Sequence, residues 1–99
     1  LNFAIMHIPP RTARWDTKHC FTRGAEELRR ILTNRKVPMA FFGHEHLYDE
    51  DMIGGVKYII TGGAGAPLYS RGFGEPVYHF IVVKVKNGVA AAEVVRLPR

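Results

Sequence analysis

The chain has 99 residues, of which 46% are hydrophobic and 23% charged, and its formal net charge is +5. This balance excludes an intrinsically disordered chain, and the length suits one small domain. The apolar runs are too short to cross a bilayer, so we expect no membrane segment in this chain. The single cysteine, Cys20, excludes an internal disulfide and cannot by itself build a thiolate metal site.

The basic residues fall into two groups, one on a predicted helix and one near the C-terminus. A net positive charge favours phosphate-bearing partners in general. A nucleic-acid interface usually shows a denser basic stripe with interleaved aromatic residues than this sequence has. We therefore interpret these residues as a solvated surface.

Residues 2–7 predict a short buried strand, because they are mostly apolar and are followed by Pro9 and Pro10, which cannot continue a central strand. No polar lead precedes this strand. We therefore expect residues 1–99 to be the C-terminal portion of a single domain whose N-terminal part is missing.

A long loop is predicted over residues 11–22, followed by a helix from about Gly24 to Arg35 with Thr22 as its N-cap. The apolar face of this helix is predicted to consist of Ala25, Leu28, Ile31 and Leu32. A second short strand, Met39 to Phe42, comes next. Strand, helix and strand in this order predict two parallel neighbours joined by a right-handed crossover.

The later part of the chain predicts antiparallel strands. Val56 to Thr61 is a third apolar stretch, and Asn87-Gly88 predicts a tight hairpin between Val77 to Lys86 and Val89 to Leu97. The predicted fold class is therefore α/β, with a βαβ unit followed by antiparallel strands and a C-terminal hairpin.

His7, His44 and His46 are the candidate metal ligands. The first two predicted strands end at His7 and just before His44, and parallel strands bring their carboxyl ends to one edge of a sheet. On an extended loop the rings of His44 and His46 point to similar sides and Glu45 points away. Imidazole suits zinc, iron and manganese. The alternatives are local hydrogen bonds only, or a single zinc held by three histidines with an open position for water.

Two segments carry a resemblance to a known family. Residues 43–48, Gly-His-Glu-His-Leu-Tyr, resemble the late Gly-His-x-His motif of the calcineurin-like metallophosphoesterases, including the purple acid phosphatases. Residues 6–10, Met-His-Ile-Pro-Pro, resemble the preceding motif, and one predicted helix separates the two. A strand, the glycine-rich loop 61–66 and a hairpin follow in the family's order.

The resemblance implies an α/β sandwich with two mixed sheets and a two-metal centre of iron, manganese or zinc. His7 and His44 would ligate one metal, and His46 the other. The implied reaction is hydrolysis of a phosphoester by attack of a metal-activated hydroxide on phosphorus. The resemblance implies a substrate from one of the classes that the family hydrolyses, which are phosphomonoesters, phosphodiesters, nucleotides and phosphoproteins. Nucleic acid would then be a partner only as a substrate.

The family's earlier motifs, which supply a bridging carboxylate, an asparagine ligand and a general-acid histidine, do not occur here. Asp49, Glu50 and Asp51 are in the wrong place to substitute. Two neighbouring divalent ions need anionic ligands to offset their repulsion, and neutral imidazoles do not supply them. We expect those groups in the missing N-terminal part. This chain alone is therefore expected to be inactive and to hold at most one metal ion, weakly.

Four further residues are candidates for positions near the substrate. His19 lies in the long predicted loop and can approach a phosphate, although a loop histidine is usually only solvated. Glu45 and Tyr48 are expected to orient the loop or line the pocket. Gly63 belongs to a turn that is expected to shape the pocket wall. His79, inside a predicted strand, is expected to be structural.

Two other functional classes stay open. One is a non-catalytic metal-binding module that contacts nucleic acid or protein, for which steep salt dependence of nucleic-acid binding would be a sign. The other is a structural C-terminal piece whose histidines lie in a satisfied core. Metal analysis of the pure protein separates the second class from every metal-binding hypothesis.

Overall fold

The computed structural model describes residues 1–98, and within them one helix and six strands. In chain order the elements are β1 (Phe3–Met6), α1 (Ala25–Asn34), β2 (Met39–Phe42), β3 (Tyr48–Ile53), β4 (Val56–Thr61), β5 (His79–Lys86) and β6 (Val89–Arg96). The predicted mixed α/β class is confirmed. Within the described residues no helix has the length and apolar character needed to cross a membrane.

The first four strands form one sheet with the order β1-β2-β4-β3, and α1 connects β1 to β2. β1 pairs with β2 in parallel, with Phe3 opposite Met39 and Met6 opposite Phe42, and β2 pairs with β4 in parallel. β3 returns antiparallel to β4. The predicted parallel pairing of the first two strands, with α1 as their connection, is therefore confirmed.

β1 was predicted to be buried, and this was wrong. Ile5 is 81% exposed and Met6 40% exposed, whereas Ala4 alone of the strand packs against the core. β1 lies at an edge of the sheet, so its apolar residues have β2 on one side only. The ring of Phe3 packs on that of Phe41, with 6.3 Å between centroids.

The helix begins one residue later than predicted and has a different cap. Gly24 is the N-cap, in a left-handed conformation at φ 86°, and no side chain caps the helix. Thr22 was predicted as the cap, but its backbone carbonyl accepts from the Ala25 N–H instead, at 3.1 Å. Ala25 and Leu32 are buried, whereas Ile31 is 45% exposed. The predicted apolar face is therefore only partly buried, with Leu28 packed against the core and Ile31 exposed.

β3 was not predicted. Its sequence, Tyr-Asp-Glu-Asp-Met-Ile, is acidic rather than apolar, yet it forms a complete antiparallel ladder with β4 across the Gly54-Gly55 turn. Asp49 is 6% exposed, and its carboxylate accepts from Arg14 at 2.6 and 2.8 Å and from the Trp15 indole at 2.7 Å. These partners make a buried aspartate tolerable in a strand.

The predicted loop 11–22 is tightly packed. Trp15 is fully buried and lies against the rings of Phe42 and Tyr58, at centroid distances of 6.1 and 6.3 Å. The two ends of the loop are joined by a hydrogen bond in which the Phe21 N–H donates to the Pro9 carbonyl at 3.0 Å. The loop is thus fixed at its base and at its centre.

The C-terminal hairpin is confirmed. β5 and β6 pair antiparallel as a two-stranded sheet, and the turn residues Asn87 and Gly88 both have positive φ, 52° and 74°. The hairpin joins the rest of the fold through the His79 N–H, which donates to the Gly63 carbonyl at 2.9 Å.

Replacing Trp15 tests how far the fold depends on the loop. Trp15→Ala removes a fully buried side chain and is expected to lower the free energy of unfolding by about 3–5 kcal/mol. Trp15→Phe keeps an aromatic ring and loses the indole donor to Asp49, so a smaller loss of about 1–2 kcal/mol is expected. Urea unfolding followed by circular dichroism measures both. Equal effects of the two variants would show that the packing is unimportant.

Candidate metal centre

His7 and His44 come together at the edge of the sheet where β1 and β2 end. Their ring centroids lie 5.2 Å apart at an interplanar angle of 80°. Gly43 N–H donates to the His7 carbonyl at 2.8 Å, which extends the parallel ladder beyond the strands. The two histidines are therefore neighbours, and their predicted role as ligands of one metal stays a prediction.

The segment 43–47 is a pair of tight turns. His44 has φ 67°, Glu45 N–H donates to the Gly43 carbonyl at 2.7 Å, and Leu47 N–H donates to the Glu45 carbonyl at 2.9 Å. In an extended loop successive side chains point to opposite sides, and these tight turns do not have that alternation. The expectation that Glu45 points away from the histidines was therefore wrong. Its side chain is fully buried and has an oxygen within 4.8 Å of a ring nitrogen of His44.

His46 lies in the same pocket with a defined ring orientation. Its Nδ1–H donates to the Pro67 carbonyl at 2.8 Å, and its ring packs on Tyr69 with 5.0 Å between centroids. A hydrogen bond at one ring nitrogen fixes the tautomer and leaves Nε2 as the ligand atom. The role of His46 as a metal ligand also stays a prediction.

His19 joins the cluster from the packed loop. Its backbone N–H donates to the Thr17 hydroxyl at 3.3 Å, and its ring centroid is 5.9 Å from that of His44. One donor atom each from His19, His44 and Glu45 lie within 4.8 Å of one another. The sequence placed His19 near a substrate, and nothing in its spacing indicated this group of three.

The histidines line a pocket of about 550 Å³. Its walls are formed by His7, His19, Gly43, His44, His46, Gly62, Ala64, Ala66, Tyr69 and Arg71. A larger cavity of about 860 Å³ lies between the loop 11–22, α1 and the β3–β4 turn, but no histidine lines it. We place the candidate site in the smaller pocket, because the donor atoms are there.

Of the four predicted substrate-proximal residues, His19 lines the pocket, whereas Glu45, Tyr48 and Gly63 are not among its lining residues. Tyr48 packs edge-on against His79, 5.4 Å between centroids, and its hydroxyl donates to Glu50. Burial first, and then that hydrogen bond, raise the pKa of the Tyr48 hydroxyl. Gly63 contacts His79 through its carbonyl and does not line the pocket, unlike its neighbours Gly62 and Ala64.

His79 is structural, as expected. It is buried, and its two ring nitrogens contact the Thr61 hydroxyl and the Val77 carbonyl, each at 2.8 Å. Both nitrogens are therefore occupied within the protein. Asp49 is likewise committed to Arg14 and Trp15, which agrees with its exclusion as a metal ligand.

Tyr69 and Arg71 belong to the site and were not assigned to it from the sequence. The Tyr69 hydroxyl donates to the His44 carbonyl at 3.3 Å, and the guanidinium carbon of Arg71 lies 4.0 Å from the Tyr69 ring centre. Arg71 Nε is 3.3 Å from a Glu45 oxygen, yet neither atom completes a hydrogen bond. Both residues lie in an irregular segment that carries no local signal of function.

Comparison with known proteins found similarity to solved structures only. No protein-family profile matches this sequence. No curated protein matches it either. Vps29 from Entamoeba histolytica complexed with Zn²⁺ is 20% identical, with a TM-score of 0.44, over 85% of this chain and 49% of that chain.

Two mutants of the same protein give similar values. A single mutant is 20% identical with a TM-score of 0.47, over 95% of this chain and 55% of the other. A double mutant is 19% identical with a TM-score of 0.43, over 87% of this chain and 50% of the other. The chain thus spans about half the length of the structures it matches.

The donor chemistry of the pocket suits a transition-metal ion. Imidazole nitrogens are ligands for zinc, iron and manganese, and a carboxylate adds negative charge. Both oxygens of the buried Glu45 side chain lack a hydrogen-bond partner. A buried carboxylate is strongly disfavoured unless a cation is near, and the nearby Arg71 Nε, 3.3 Å from Oε2, completes no hydrogen bond with it. The residues present therefore fit a metal ion.

Gly62 holds the turn that carries Glu45 and His46. A Cβ at this position would lie 1.9 Å from the Glu45 carbonyl oxygen, so Gly62→Ala must displace backbone. We expect a loss of about 1–3 kcal/mol in the free energy of unfolding, as for other overpacked sites. Gly43→Ala is the matched control, since its Cβ would meet nothing nearer than 3.4 Å. Urea unfolding measures the stability of both variants. Equal stability would contradict the close contact of Gly62 with the Glu45 backbone.

Proposed function

We propose that this chain supplies part of the metal site of a phosphoester hydrolase of the calcineurin-like class. The observation that carries the proposal is the meeting of His7 and His44 at the ends of neighbouring parallel strands, 5.2 Å apart. Local hydrogen bonding alone gives no reason for four histidines to share one pocket. The resemblance of the two sequence motifs supports the reaction class.

In this proposal His7 and His44 hold one ion, and His46 holds a second through Nε2. A bound divalent ion activates water as a nucleophile and stabilises charge that develops on the phosphoryl group. The contribution of the chain is to orient ligands: Pro67 fixes the ring of His46, and the Gly43 hydrogen bond fixes the spacing of the two strand ends.

The same proposal predicts that the isolated chain does not turn over substrate. Among residues 1–98, Glu45 is the only carboxylate whose donor atom joins a histidine cluster. One carboxylate offsets little of the repulsion between two divalent ions. The remaining anionic ligands and the general acid belong to the proposed N-terminal part of the domain. Without that part the chain would be a metal-binding module that lacks catalysis.

The proposal is tested by assaying aryl phosphate hydrolysis with added Mn²⁺. The 99-residue chain should show no turnover above the metal blank. A protein that also contains the upstream coding region should hydrolyse the ester, and His44→Ala in it should lower kcat/KM at least about 100-fold, since a ligand is lost. Lys18→Ala, an exposed change beside His19, is the control.

Two results would count against the proposal. Turnover by the isolated chain would contradict its predicted inactivity. Absence of metal-dependent hydrolysis in the longer protein, with metal bound, would favour the non-catalytic module instead. Binding of that module to nucleic acid with a steep salt dependence would then identify the partner class.

A further inference from the structure

The carboxyl side chain of Glu45 is fully buried and makes no hydrogen bond. Its exposure is 0%, and both Oε1 and Oε2 lack a hydrogen-bond partner. An oxygen of this carboxylate lies within 4.8 Å of ring nitrogens of His19 and His44, which are themselves within that distance of each other. The three groups approach from two separate segments of the chain.

The nearby arginine compensates this charge only in part. Arg71 Nε is 3.3 Å from Glu45 Oε2, but it is itself without a completed hydrogen bond. Its guanidinium also stacks on Tyr69, with the guanidinium carbon 4.0 Å from the ring centre. A buried ion pair offsets its desolvation cost only when the geometry is good and the other lone pairs are satisfied. Glu45 therefore retains unused capacity to accept a cation.

We propose that His19, His44 and Glu45 form a site for one divalent transition-metal ion. This inference rests on the proposed function only in placing a metal in the same pocket, and it assigns a different ligand set. His44 is shared with the pair His7 and His44 that the proposed function assigns to one ion, whereas His19 and Glu45 take the place of His7 as the other ligands of this ion. The carboxylate supplies the negative charge that three imidazoles lack.

The distances allow such a site after a small movement. Two ligand atoms at about 2.1 Å from one tetrahedral zinc ion are about 3.4 Å apart. The donor atoms lie within 4.8 Å of one another, so each pair needs a contraction of at most about 1.4 Å to reach that separation. His19 is half-exposed on a loop, so its side chain can make that movement more readily than the buried Glu45.

The donor set also predicts which ions bind. Two imidazoles and one carboxylate with an open position form the kind of set that holds catalytic zinc. Co²⁺ takes similar ligands, whereas Mg²⁺ and Ca²⁺ prefer sets made of oxygen atoms. We therefore expect Zn²⁺ and Co²⁺ to bind and Mg²⁺ at millimolar concentration not to compete.

The test is a titration of the full 99-residue chain with Co²⁺, followed by absorption and by calorimetry, with Zn²⁺ in competition. Glu45→Gln and His19→Ala should each weaken Co²⁺ binding at least about 10-fold, as expected for a lost ligand or its partner. His7→Ala should weaken it less than about threefold. Glu26→Gln, which removes an exposed carboxylate on α1, and Lys18→Ala should leave the affinity unchanged.

The outcomes separate this inference from the proposed function. If His7→Ala and His46→Ala weaken binding while Glu45→Gln and His19→Ala do not, the ligand set proposed here is wrong and the hydrolase proposal stands. If no Co²⁺ or Zn²⁺ binds at all, this inference is overturned. The hydrolase proposal is then tested separately by the assay of the longer protein. Should Glu45→Gln fail to fold by circular dichroism, His19→Ala decides, since that change lies on a loop surface.

Discussion

The hydrogen bond from Gly43 N–H to the His7 carbonyl, 2.8 Å long, is the contact on which the site depends. It continues the parallel pairing of β1 and β2 one step past the strands, so the two histidine-bearing segments leave the sheet side by side. A shift of one residue in this register would turn His7 to the opposite face. The pairing of Met6 with Phe42 therefore fixes the spacing of the imidazoles before any ligand is present.

A second contact, between Trp15 and Asp49, positions the imidazole of His19 near the site. Trp15 fills the core under β2 and β4, and its indole N–H donates to Asp49 on β3 at 2.7 Å. Because Arg14 binds the same carboxylate, the centre of the loop is held against the sheet. His19 lies only four residues beyond this anchor. A loop that would otherwise be solvated is thereby positioned to present His19 to the site.

The sequence predicted those parts of the fold that local signals determine. Apolar runs with a helix between them indicated the parallel pair, and Asn87-Gly88 indicated the hairpin, because positive φ at both turn positions is a local requirement. The acidic strand β3 was missed, since its burial depends on Arg14, far away in sequence. The direction of Glu45 was also missed, because the tight turns of residues 43–47, with His44 at φ 67°, replace the extended loop that the prediction assumed.

The buried carboxylate is the observation that favours the proposed cation site over a cluster of histidines alone. If the imidazoles served only local hydrogen bonds, a neutral residue at position 45 would fill the same space without the cost of desolvating a charge. Arg71 Nε, 3.3 Å from Glu45 Oε2, reduces that cost without completing a hydrogen bond. A cation that binds only the folded chain would stabilise it and offset part of the desolvation cost. In the proposed site one group, the carboxylate of Glu45, would therefore both destabilise the metal-free fold and attract the ion.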